Sequence, residues 1–215
     1  MAIISSQHIN EIKECVCEFC GEYPFQYYCP ELRERNCNLM NQFFSLNGEF
    51  DVKTVILGES PPATYRYIYD PVIYGGKKWF ADWIIEILAA IPEYNNVSEK
   101  LRNTTNRLDY LKTLGAEGIL IIDCCQCAVA HLKRSKAMEL RKEVTLNNGK
   151  RKKMNPRKSA IVHCFIKQTR KILEPIGAKY EPKIVWAFPE GSKGKLPGWL
   201  QEYLETNLKT MKFKV

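Results

Sequence analysis

Two carboxylates follow short apolar runs that are rich in β-branched residues. Glu59 comes just after the run at residues 54–57, and Asp123 ends the run at residues 118–123. Runs of this length and composition predict buried strands. Carboxylates at neighbouring strand ends can divide the roles of general acid, general base and hydrogen-bond acceptor. In the structural alternative, Glu59 caps a turn and Asp123 accepts backbone N–H groups of its own loop.

The loop at residues 58–76 has the side chains that a planar ligand requires. Gly58 lets the backbone approach a ligand closely, and the prolines at 61 and 62 stiffen the turn. Four tyrosines, among them Tyr69 and Tyr74, supply flat faces for stacking. The loop therefore fits a planar ring and a reacting water, and ordinary loop packing is the alternative.

Basic residues are concentrated between residues 133 and 158. The whole chain has 32 Lys and Arg against 24 Asp and Glu, a formal net charge of +8. This segment alone carries 11 basic and 2 acidic residues, or +9, which leaves −1 for the rest of the chain. A confined excess is typical of phosphate-backbone binding through counterion release, with Arg151, Lys152 and Lys153 as candidate contacts. A solvated loop without a ligand is the alternative.

The elements that position these residues alternate between apolar strands and amphipathic helices. Two helices, predicted at 5–19 and 30–44, form an N-terminal helical segment within residues 1–50. Further helices are predicted at 77–91, 101–114, 159–173 and 199–209, and strands at 54–57, 118–123 and 184–188. This order predicts a single α/β domain over residues 1–215, a three-layer α/β/α arrangement around a mostly parallel sheet, with residues 133–158 as a basic insertion.

Ligands of such sheets bind at the carboxyl ends of the strands. That rule selects the loops at 58–76, 123–131 and 188–197, which are polar or glycine-rich. The last of them contains Ser192 and Lys193 within a Gly-Ser-Lys-Gly stretch that lacks the spacing of a P-loop.

Length and composition exclude several classes of protein. With 215 residues, 45% of them hydrophobic and 26% charged, the chain is typical of a globular domain rather than of a disordered chain or a coiled coil. The apolar runs at 83–91 and 118–125 are too short to cross a bilayer, and residues 1–6 lack a signal-peptide pattern. We therefore expect a cytoplasmic monomer without a membrane partner.

The chain has nine cysteines, an odd number. Without a secretory signal, they favour reduced thiols, a metal site or buried small apolar side chains over a disulfide framework. A zinc site would use thiolates near the N-terminus: Cys15, Cys17, Cys20 and either Cys29 or Cys37. We assign no metal ligands, because the apolar role accounts equally well for cysteines beside buried strands and on helical faces.

Three stretches together resemble a known superfamily. Residues 55–62, Val-Ile-Leu-Gly-Glu-Ser-Pro-Pro, are similar to a strand that ends in Gly-Glu-Ala-Pro-Gly, and residues 71–75 to a Pro-Phe-Val-Gly stretch. Residues 121–127, Ile-Ile-Asp-Cys-Cys-Gln-Cys, resemble Thr-Asn-Val-Val-Lys-Cys. These are motifs of the uracil-DNA glycosylase superfamily, and the likeness is greatest to its thermophilic, iron–sulfur-containing branch, family IV.

The resemblance implies a glycosylase that removes uracil or another deaminated base from DNA, whether single-stranded or mismatched, by hydrolysis of the N-glycosidic bond. Glu59 would position the water or stabilise the positive sugar, and Asp123 would bond the edge of the base. Tyr74, or in second place Tyr69, would stack on the base beside Gly58 and Pro61.

The resemblance also implies contacts to the phosphates and a cofactor. Ser192 and Lys193 would hold phosphates of the strand. Four cysteines match or could complete the family's cluster set: Cys17, Cys20, Cys127 and Cys164. An iron–sulfur cluster therefore stands beside zinc and a purely apolar role as the alternatives for these residues.

The chain departs from the family pattern at two positions. It has no histidine at residues 188–194, where the family's last motif carries one, and Asp123 replaces the base-reading asparagine. An ionised carboxylate accepts hydrogen bonds but donates none, so either Asp123 is protonated or another base is read. The runner-up interpretation is a noncatalytic nucleic-acid-binding protein on the same fold. A third is a small-molecule nucleoside or nucleotide hydrolase, which would gain little from the basic segment.

Overall fold

The computed structural model describes residues 29–58, 73–74, 77–125, 142–145, 149–154, 161–187 and 198–215. The helix predicted at 5–19 lies outside these ranges. Within them, none of the helices combines the length and apolar composition that crossing a bilayer requires.

A parallel sheet of three strands lies at the centre of the described fold. Its strands are β1 (Thr54–Gly58), β4 (Ile119–Asp123) and β7 (Lys183–Trp186), and they lie in the order β4-β1-β7. Every residue of β1 and β4 is buried, as expected for strands covered on both faces. The predicted α/β fold with a parallel sheet is therefore confirmed.

Helices surround this sheet and contribute to one hydrophobic core. They are α1 (Cys29–Asn47), α2 (Trp79–Ala89), α3 (Asn95–Asn103), α4 (Arg107–Ala116), α5 (Arg170–Tyr180) and α6 (Gly198–Thr210). A 3-10 turn, Pro92–Tyr94, joins α2 to α3. Its Tyr94 forms a buried 2.6 Å hydrogen bond with the hydroxyl of Thr54 at the start of β1. This bond ties the helical layer to the central strand.

The single helix predicted at 101–114 is instead divided between α3 and α4. Thr104 has extended backbone dihedrals, which end α3. Asn106 then caps α4, because its side-chain oxygen accepts the Asp109 N–H at 2.9 Å. Leu108, which falls within the helix predicted at 101–114, lies in the first turn of α4 and is 53% exposed.

The other long helices also differ from their predicted bounds. The helix predicted at 77–91 begins at Trp79, since residues 77–78 form β3 (Lys77–Lys78), paired with β2 (Ile73–Tyr74). Within the helix predicted at 159–173, the described residues are helical from 161, and the helix continues beyond its predicted end as α5 to Tyr180. Residues Phe165–Thr169 within it form a π-helical turn.

The predicted basic insertion contains regular structure. Strands β5 (Lys142–Thr145) and β6 (Arg151–Met154) pair in an antiparallel hairpin. Gly149, just before β6, has a φ of +75°, a left-handed conformation that favours glycine. This part of the insertion is therefore a β-ribbon rather than an irregular loop.

Candidate functional site

The carboxyl ends of β1 and β4 meet at one edge of the sheet. In their parallel register Gly58 lies opposite Asp123. The N–H of Cys124 donates a 2.8 Å hydrogen bond to the carbonyl of Gly58, which extends the pairing past the last strand residue. The structure thus brings together two of the residues that the sequence singled out, and Glu59 directly follows Gly58 in the chain.

The carboxylate of Asp123 covers Gly58. A Cβ atom added at Gly58 would overlap Oδ1 of Asp123, so only glycine leaves room for the carboxylate there. Asp123 is itself only 3% exposed. Burial of a carboxylate costs free energy unless polar partners stabilise it. The corner of the sheet formed by Gly58 and Asp123, at the carboxyl ends of β1 and β4, is therefore the leading candidate site.

The helix that contains Thr169 contacts the same corner through the backbone of Asp123 and Cys124. The Thr169 hydroxyl donates a hydrogen bond shared between the carbonyls of Asp123, at 2.8 Å, and Cys124, at 3.1 Å. Thr169 is fully buried and closes the π-helical turn Phe165–Thr169. Single π-helical turns inside α-helices are frequent at functional sites.

Gln168, next to Thr169, was not identified from the sequence. Its side chain is fully buried, and neither Nε2 nor Oε1 has a hydrogen-bond partner among the described residues. A buried polar atom without a partner costs about 1–3 kcal/mol. The sequence did contain a signal, since Gln168 falls at helical spacing with the apolar residues Ile161, Phe165 and Ile172.

Several predicted site residues lie outside the described residues: Glu59, Pro61, Tyr69, Ser192 and Lys193. Tyr74 lies in β2, opposite Lys77. The basic candidates, Arg151, Lys152 and Lys153, all lie in β6, distant in sequence from the ends of β1 and β4. Arg151 and Lys153 are exposed. Lys152 lies opposite Val144 in the hairpin register.

Four cysteines are buried in the core. Cys124 and Cys125 follow β4, Cys37 lies on α1, and Cys164 immediately precedes the π-helical turn. Their burial is consistent with the small apolar role. Cys164 is the one member of the proposed iron–sulfur set inside the described ranges, which contain no group of three or more metal-ligating side chains.

A separate cleft of about 460 Å³ lies at the opposite edge of the sheet. It is lined by Asp51, Val52, Lys53, Lys179, Tyr180, Glu181, Lys183 and Lys214. Two of its lysines form ion pairs, Lys179 with Glu49 at 3.1 Å and Lys183 with Glu93 at 2.9 Å. Because these acidic groups balance the positive charge of the lysines, the cleft lacks the excess positive charge that an anion-binding site requires.

Comparison with known proteins adds no relative. The chain matches no protein-family model, and neither curated proteins nor solved structures include a significant match. The resemblance to the uracil-DNA glycosylases thus stays a prediction based on short motifs.

Proposed function

We propose that the protein is a DNA glycosylase that hydrolyses the N-glycosidic bond of uracil or another deaminated base, on a fold of the uracil-DNA glycosylase type. The observation that carries the proposal is the pairing of Gly58 with Asp123 at the carboxyl edge of the sheet. The two motif segments come from distant parts of the chain, and the proposal requires that they meet.

In this mechanism the nucleotide leaves the duplex and its base enters the corner beside Asp123. The buried carboxylate bonds the edge of the base, and Glu59, the residue after Gly58, positions the water or stabilises the positive sugar. The bond from the sugar carbon to the base nitrogen breaks, the water oxygen bonds to that carbon, and the released base takes up a proton. Tyr74 or Tyr69 provides the stacking face.

Phosphate contacts complete the proposal. Ser192 and Lys193 hold the strand near the reacting sugar, and Arg151, Lys152 and Lys153 add attraction to the polyanion. Arg151 and Lys153 are exposed, which suits this role.

Base release from synthetic oligonucleotides tests the proposal directly. End-labelled strands that contain one uracil, hypoxanthine, xanthine or mismatched thymine are incubated with the protein, and alkali then cleaves at abasic sites. We expect scission at one of these lesions and its loss in Glu59→Gln. Glu99→Gln, the same change on an exposed position of α3, serves as the matched control.

The variant Asp123→Asn tests which group reads the base. An amide both donates and accepts, whereas a carboxylate only accepts. We expect uracil release to rise at least severalfold in Asp123→Asn, because the amide can donate to a uracil carbonyl and the ionised carboxylate cannot. Unchanged uracil release would remove Asp123 from base recognition.

A noncatalytic nucleic-acid-binding protein is the alternative, favoured by the exposed basic residues of β6 and the missing histidine. In that case Glu59→Gln would leave DNA affinity intact and no lesion would be cleaved by the parent protein. Retained, salt-sensitive binding without scission therefore identifies the alternative.

A further inference from the structure

The hairpin of β5 and β6 is a strongly charged element. Residues 142–154 include five basic residues and one acidic residue, a net charge of +4. The hairpin residues whose burial the structure describes are all exposed: Thr145, Gly149, Lys150, Arg151 and Lys153. The two strands pack chiefly on each other rather than on another described element.

One face of the ribbon is open to solvent. The register places Thr145 opposite Arg151 and Glu143 opposite Lys153, and residues directly opposite each other in an antiparallel pair share a face. Thr145, Arg151 and Lys153 are all exposed. Two cations thus lie on this face, two residues apart on the same strand.

The register places basic residues on the other face as well. Lys142 lies opposite Met154, and Lys152 lies opposite Val144. A ribbon that only rested on a flat polyanion would need cations on one face. Cations at positions on both faces instead suit a groove that has phosphates on either side.

We propose that this ribbon enters the major groove of B-form DNA, which makes double-stranded DNA the substrate. Two paired strands are about 4.8 Å apart between their backbones. The major groove, about 12 Å wide, admits such a ribbon, whereas the minor groove, about 6 Å wide, would first have to be widened at a cost in DNA deformation. The inference depends on the proposed function only in taking DNA as the ligand.

The length of the strands also sets the expected length of the contact along the DNA. Four residues of extended strand span roughly 13 Å, the length of about four base pairs at roughly 3.4 Å each. Single strands offer no groove, and the major groove of A-form RNA is too narrow for the ribbon. Duplex DNA is therefore the nucleic acid to which the ribbon adds affinity.

Fluorescence anisotropy with an undamaged 20-base-pair DNA duplex, the matching single strand and the same duplex in RNA tests the inference. The variant Arg151→Gln/Lys153→Gln is compared with Lys209→Gln/Lys214→Gln, an equal charge change at exposed positions outside the ribbon. We expect only the ribbon variant to lose duplex affinity, with a salt slope lower by about 1 for each lost phosphate contact. Thermal unfolding confirms that both variants remain folded.

Groove-directed competitors test the location of the ribbon. We expect methyl green, which occupies the major groove, to displace the protein, and netropsin, which occupies the minor groove, to leave it bound. Displacement by netropsin alone would overturn the inference. It would also be overturned if the ribbon variant lost as much affinity for the single strand or the RNA duplex as for duplex DNA.

The binding and base-release assays separate the two proposals. Major-groove binding without release of any base would leave the ribbon inference standing and refute the glycosylase. Base release that needs Glu59, together with unchanged duplex affinity in the ribbon variant, would refute the ribbon inference alone.

Discussion

Replacing Gln168 with methionine should make the protein more stable. Methionine has nearly the same length and volume as glutamine but carries no amide. Since Nε2 and Oε1 are both buried without a partner among the described residues, the substitution removes an unmet desolvation cost. At about 1–3 kcal/mol for such a group, we expect the free energy of unfolding to rise by at least about 1 kcal/mol. For a domain of this size, that corresponds to about 2–4 °C in Tm for each kcal/mol.

The adjacent residue supplies a control of opposite sign. Thr169→Val keeps the shape of a fully buried side chain but removes the hydroxyl that bonds the carbonyls of Asp123 and Cys124. We expect this variant to lose about 1–3 kcal/mol, because both carbonyls lose a buried donor. Two neighbouring polar-to-apolar substitutions should thus shift stability in opposite directions.

Urea unfolding followed by circular dichroism and tryptophan fluorescence measures both variants. A Gln168→Met protein that is less stable than the parent by 1 kcal/mol or more would refute the reasoning, since the amide would then have a stabilising partner. Base release measured in parallel shows whether the amide serves a ligand. In that case stability rises while release falls, the usual trade-off at a functional site.

Three further predictions concern single positions. Gly58→Ala should displace the carboxylate of Asp123, lower the free energy of unfolding by about 1–3 kcal/mol and reduce base release, as denaturant and scission assays will show. Tyr110→Phe should be neutral or stabilising by up to about 1 kcal/mol in urea, because the tyrosine hydroxyl is buried without a partner among the described residues, and its burial raises the pKa of Tyr110 well above the ordinary value. The hydrogen bond from Lys179 lowers the pKa of Glu49, so the stability from this pair is present above the ordinary glutamate pKa and is lost as pH falls through the lowered one. Carboxyl NMR titration should find that Lys179→Met returns the Glu49 pKa toward its ordinary value, and an unchanged titration would contradict the assignment.

Most of the secondary structure could be predicted from local patterns. The apolar runs that became β1 and β4 are buried on both faces, and such strands have an unmistakable composition. The ends of helices were less predictable, because they depend on single capping groups. Asn106, which divides α3 from α4, is one example.

The hairpin illustrates a different limit. Its strands are only four residues long and β6 is strongly basic, so neither shows the apolar alternation from which strands are recognised. Pairing between β5 and β6 therefore became visible only in three dimensions.

The sequence by itself determined which residues end the buried strands and where the charge lies. It placed Gly58 and Asp123 at strand ends, and it confined the basic excess to one segment, because composition and periodicity are local properties. Only the tertiary structure decided that β1 and β4 are neighbours in a register that sets the Asp123 carboxylate over Gly58. It also decided that the amide of Gln168 is enclosed beside Thr169. Strand order and burial arise from contacts between distant segments, and the pattern within any one segment does not specify them.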